Sequence, residues 1–217
     1  LASQQGTRRA AGLIALAVAG LFATAPSSPA ADVEPDAASI DNIVPTANYS
    51  FDCRTGENGT VCQSDNASVS YYMDSGGANK LEDDDKRVVR DVIASEYAPT
   101  DLAFSYDSTP SWSGDSETDI YYSEASVPGS AEGITFCNAV APRAYRCDQQ
   151  YVRIEGGGHY TPGLACHETG HAFGLLHGNR SYPQVGMQDN RLGCMKKSVS
   201  FDQPLGSNQK SNINSVY

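Results

Sequence analysis

Positive charge is scarce in this sequence: 15 lysines and arginines stand against 26 acids, a formal net charge of −11. So acidic a surface disfavours polyanions. It argues against nucleic acid or an anionic membrane as a partner and mainly serves solubility. No apolar run reaches the roughly 20 residues that a membrane span needs. The glycine run Gly156-Gly157-Gly158 lacks the lysine and the strand-to-helix setting of a phosphate-binding loop, so it does not indicate a nucleotide. Histidine is rarer still, with four in the whole chain.

Three of those four fall in one window, His167-Glu168-Thr169-Gly170-His171-Ala172-Phe173-Gly174-Leu175-Leu176-His177. Residues four apart on an α-helix are separated by about 400°, so His167 and His171 leave one face and can hold one metal ion between them. Glu168 then stands beside that ion, placed as general base for a water. On an unbroken helix His177 would lie about 15 Å along the axis from His167 and on another face. Gly174 sits where a break is needed, since glycine takes positive φ without a Cβ clash and lets the chain return His177 to the metal. Three imidazoles leave a fourth position open, which is the mark of catalytic rather than structural zinc.

This window resembles the extended signature H-E-x-x-H-x-x-G-x-x-H of the metzincin clan of zinc endopeptidases. The resemblance implies Zn²⁺ held by His167, His171 and His177, Glu168 as catalytic base, and hydrolysis of peptide bonds in a protein or peptide substrate. It implies an α+β fold like small matrixin or reprolysin domains. That fold has a twisted mixed β-sheet, a backing helix, a zinc-binding helix, and a small C-terminal subdomain with a methionine turn and a closing helix. Of the candidates Met187 and Met195, Cys194-Met195 resembles the turn of several secreted members. Lys197 stands where some families carry a zinc-bound tyrosine, so no tyrosine ligand is expected. By the same resemblance Gly133 to Phe136 forms the edge strand that pairs with substrate, although a plain hairpin strand fits the same residues. Residues 196–201 then shape the pocket beyond the scissile bond, where Lys196 and Lys197 hint at acidic residues. The alternatives are a catalytically silent secreted module that keeps the fold, a structural zinc protein, and a thermolysin-like enzyme. The last needs a downstream glutamate ligand, and none follows Glu168.

At the N-terminus, Arg8 and Arg9 precede the apolar run from Ala10 to Ala25 and the small residues Ser28-Pro29-Ala30. That order reads as a secretory signal peptide over residues 1–30. Residues 31–50, rich in Ala, Asp and Pro, read as a linker or short pro-segment. Residues 51–217 form the catalytic domain, expected as a secreted, extracellular monomer with no membrane attachment after cleavage. Six cysteines behind a signal read as disulfides. The proposed pairs are close in sequence or linked by the site: Cys53 with Cys62, Cys137 with Cys147, and Cys166 with Cys194. Helical spacing of Val88, Val89, Val92, Ile93 and Tyr97 predicts a helix over 82–97, its acidic start suiting the helix dipole better than a calcium site. Strands are expected at 67–73, 102–106, 118–122, 133–140 and 150–154. Thr161 and Pro162 cap the zinc helix, His159 is a loop residue before it, and 207–217 closes the fold as a helix.

Overall fold

A computed structural model describes residues 38–217 apart from residue 115. The signal peptide expected at 1–30 and the first part of the 31–50 stretch lie outside the described residues. Six strands make one sheet: β1 (Gln63–Ser64), β2 (Ser68–Met73), β3 (Ala103–Tyr106), β4 (Ile120–Glu124), β5 (Gly133–Val140) and β6 (Arg146–Ile154). β6 is its spine. One edge of β6 pairs in parallel with β1 at Arg146 and Cys147 and with β4 from Gln150 to Ile154. β2 and then β3 continue the parallel sheet beyond β4. The other edge carries β5, which runs antiparallel. The sheet is therefore mixed, parallel except for one border strand.

Alternation sets the two faces. Val69, Tyr71 and Met73 of β2 are buried, as are Ile120 and Tyr122 of β4 and Val152 and Ile154 of β6. Their neighbours in sequence point to the opposite face, because side chains alternate along a strand. On that opposite face Tyr72, Tyr121, Tyr151 and Phe136 form a transverse row, with centroids 4.9–5.7 Å apart from one ring to the next. Against the buried face pack α1 (Asp83–Val92) and α2 (Pro162–Ala172). α1 starts with Asp83, Asp84 and Asp85 in its first turn and widens into a π-turn over Ile93–Tyr97. That turn delivers Tyr97, fully buried, to the carbonyl of Cys166, to which its hydroxyl donates at 2.5 Å. Each large apolar side chain so buried contributes roughly 1.5–3 kcal/mol.

β6 begins four residues earlier than the apolar pattern suggests. Arg146, Cys147, Asp148 and Gln149 read as polar, but the pairings of Cys147 with Ser64 and Val140 and the Cys137–Cys147 disulfide hold them in the sheet. All six cysteines are paired as expected: Cys53–Cys62, Cys137–Cys147 and Cys166–Cys194. No helix among the described residues is long and apolar enough to cross a membrane.

The described part of 31–50 is not a free linker. Ile40, Ile43, Val44 and Tyr49 are buried. Asp41 bridges to Tyr182 and Ile43 to Leu175, while the Val44 N–H donates to the Gly174 carbonyl at 2.9 Å. The closing helix α3 (Ser207–Asn214) clasps the same segment with amides: Asn208 both donates to and accepts from the Ile40 backbone, and Asn212 donates to the Ile40 carbonyl and to Asn42 Oδ1. The compact unit thus includes these residues.

Candidate metal centre

α2 begins where its sequence says it should. The Thr161 hydroxyl accepts from the Leu164 N–H, satisfying one orphan donor of the first turn, and Pro162 occupies the first helical position. The helix stops at Ala172. Gly174 follows with φ +88°, a backbone that disfavours any Cβ, and an added Cβ there would also lie 2.8 Å from Gln63 Cγ. The turn is held from outside by the N-terminal segment: Asn42 donates to the Leu176 carbonyl and accepts from the Leu176 N–H through its own backbone.

This break returns His177 to α2. His167 Nε2 lies 3.1 Å from Nε2 of His171 and 3.1 Å from Nε2 of His177, and the three donor atoms fall within 4.8 Å of one another. Two nitrogens each about 2 Å from one ion stand a little over 3 Å apart, so this spacing fits a shared metal. The outer nitrogens settle the tautomer. His167 Nδ1 is 2.7 Å from the Cys194 carbonyl and His171 Nδ1 is 2.7 Å from the Leu175 carbonyl. A carbonyl oxygen only accepts, so each Nδ1 carries the proton and each Nε2 presents a bare lone pair. Burial holds His167 down to about 4, His177 down to about 3 and His171 well below the usual imidazole value, so all three are neutral near pH 7. Bare lone pairs 3.1 Å apart repel unless a cation lies between them. The residues fit a divalent ion that accepts imidazole, with its remaining face toward the cleft. No cysteine competes, because none is free.

Glu168 is buried beside this triad, and its carboxylate meets β5. Thr135 Oγ1 lies 2.8 Å from both Oε2 and the backbone carbonyl of Glu168, sharing its one proton between them. Burial raises the Glu168 carboxyl to about 7, and the Thr135 hydroxyl opposes that rise. Gly133 leaves the space on the other side: a Cβ there would stand 2.7 Å from Glu168 Oε1. Sequence reasoning named Gly133 and Thr135 only as edge-strand residues. Their contact with Glu168 spans more than thirty residues of chain and has no local signal.

The triad and Glu168 form the floor of a cleft of about 880 Å³. Ser130 to Thr135, Lys197 to Val199, Leu164 and Leu176 line it with them. β5 pairs only with β6, apart from a bridge between Cys137 and Thr55, so among the described residues Gly133 to Phe136 keep an unpaired edge. Met195, fully buried, packs its sulfur against Gly170 under α2, whereas Met187 is half-buried and lines the cleft. Lys197 is exposed at the cleft wall, and His159 faces Glu132 at 3.5 Å in the loop before α2. The acids at the start of α1 do gather. Glu82 and Asp85 meet Glu124 of β4, whose carboxyl rises to about 7 through burial and its two acidic neighbours.

No family description matches the chain, and no curated protein matches it.

Proposed function

We propose that this protein is a secreted zinc endopeptidase of the metzincin type, hydrolysing peptide bonds of protein or peptide substrates. One observation carries the reading: three neutral imidazoles converge by their Nε2 atoms, those of His167 and His171 with bare lone pairs, in an open cleft that a buried carboxylate also lines. His167, His171 and His177 would hold the zinc. Bound there, zinc supplies Lewis acidity toward a carbonyl oxygen and brings the pKa of a water to near 7.

The chain's own groups do the rest. Glu168 takes the proton of the attacking water and returns it to the leaving amine, and a carboxyl whose burial brings it toward neutrality suits both tasks. Thr135 donates to Oε2 and so orients the carboxylate that performs them. The open edge of Gly133 to Phe136 offers backbone N–H and C=O groups to an extended peptide, which docks as an added strand across Glu168. The Cys166–Cys194 bridge ties the residue before the first histidine to the residue before Met195 and keeps that methionine under the helix. Three disulfides fit an oxidising, extracellular setting.

The test is proteolysis of denatured casein by the secreted protein, before and after a chelator and after zinc is restored, with Glu168→Ala alongside. Activity lost to chelation, regained with zinc and missing from the variant supports the reading. Zinc uptake without turnover by the native chain would favour a silent binding module instead.

A further inference from the structure

Two cations stand in the cleft of an otherwise acidic chain. Arg180 and Lys197 both line it, both are close enough for their charges to act on His177, and both are exposed. Among the described residues neither has a carboxylate within 4 Å, whereas Arg87, Arg153, Arg191 and Lys210 each do. The backbone of each cleft cation is held, and so is the guanidinium. The Arg180 N–H donates to the His177 carbonyl at 3.0 Å, and its guanidinium lies over the Tyr49 ring at 4.7 Å. The Lys197 N–H donates to the Met187 carbonyl at 3.0 Å. Lys196, the other lysine of the segment, donates instead to Asn190 and does not line the cleft. Among the described residues, the acids that line the cleft are Glu168, in contact with Thr135, and Glu132, facing His159.

We infer that Arg180 and Lys197 together read a substrate carboxylate, so that the cleft selects peptides with an aspartate or glutamate next to the scissile bond. The inference rests on the endopeptidase reading for the words "scissile bond", but the charge selection itself does not need turnover. An acidic residue in an extended peptide over His177 finds two cations and no paired acid to repel it. A lysine at the same place meets like charge. Because both cations are exposed, the attraction is screened, and its effect is a preference rather than an absolute requirement.

Two measurements on the full chain test this. In the first, peptides that differ only in Glu, Gln or Lys at the positions flanking the cut are compared by kcat/KM. The expected order is Glu over Gln over Lys, with roughly five- to tenfold between Glu and Gln at low salt. That ratio falls to unity in the double variant Arg180→Gln/Lys197→Gln and shrinks with added salt. In the second, fluorescently labelled Glu and Gln peptides are titrated onto Glu168→Gln and onto the same variant carrying both cation substitutions. Tighter binding of the Glu peptide, abolished by the cation substitutions, supports the inference even if no peptide is ever cut, an outcome that would overturn only the endopeptidase reading. Equal binding of Glu and Gln peptides, or a preference that survives loss of both cations, overturns it.

Discussion

Replacing Gly170 by alanine sets two effects of similar size against each other. Gly170 lies inside α2, where alanine is intrinsically better than glycine by about 0.8–1.0 kcal/mol. At this position the new Cβ would lie 2.3 Å from the Met195 sulfur, 3.1 Å from the Tyr97 hydroxyl and 3.3 Å from Leu175 Cδ1. Met195 and Tyr97 are fully buried, so the displaced atoms have nowhere open to go, and such overpacking costs about 1–3 kcal/mol. The overpacking term is the larger. Gly170→Ala is expected to lower stability by about 1 kcal/mol in urea unfolding with the disulfides intact. The decisive comparison is the same substitution in a Met195→Ala background. That change alone costs about 2–5 kcal/mol, but it empties the space the Cβ needs. There Gly170→Ala should become stabilising by up to about 1 kcal/mol, its helix-propensity value. If Gly170→Ala stabilises the native background, or its effect is the same in both backgrounds, the packing of Met195 beneath α2 is not as described.

Gly133→Ala is expected to keep the fold and the zinc but to cut kcat/KM by roughly 100-fold. Its Cβ would crowd Glu168 Oε1, and displacing a reacting group by about 1 Å has that order of cost; steady-state kinetics beside metal analysis checks it. Removing the Cys166–Cys194 bridge with a double Cys→Ser change releases a 28-residue separation and should cost roughly 3.5 kcal/mol on chain-entropy grounds, read from denaturation midpoints. Asp189 caps the turn that leads to Met195 by accepting from the Arg191 N–H and guanidinium, which holds its carboxyl down to about 2. A folded value below the unfolded one means stability that is present above about pH 4 and is lost as pH falls through 2. Asp189→Asn keeps the cap but loses the charge pair with Arg191, so it should cost about 1 kcal/mol at pH 7 after solvent screening and progressively less on acidification, as thermal melts across that range would report.

Much of the site was legible because its signals are local. The offsets among His167, His171, Gly174 and His177 encode a helix, a break and a return. Thr161-Pro162 encodes the start of that helix, and the near-sequence cysteine pairs encode three crosslinks. Strand β2 and helix α1 follow from periods of two and 3.6. What escaped is what depends on distant partners. Ile40, Ile43 and Val44 are too few and too irregular to show a period. Their burial comes from Leu175, Tyr182 and the amides of α3, some 130 to 170 residues away, so the stretch reads as linker. Arg146 to Gln149 look like loop because their place in β6 is fixed by pairing rather than by apolar content. Thr135, Gly133 and Arg180 carry no motif of their own and gain meaning only when β5 and the turn after His177 are laid beside Glu168.

The central claim is that zinc on three histidines and proton transfer by Glu168 together cut peptides. The most direct test titrates zinc into metal-free native chain and Glu168→Gln, following bound metal and cleavage of a quenched fluorescent peptide in the same samples. The account predicts one zinc per chain in both, with cleavage rising in step with occupancy in the native chain and slower by roughly 10²- to 10⁴-fold in the variant. Cleavage that needs no metal, or a fully loaded Glu168→Gln that cuts at the native rate, would contradict it.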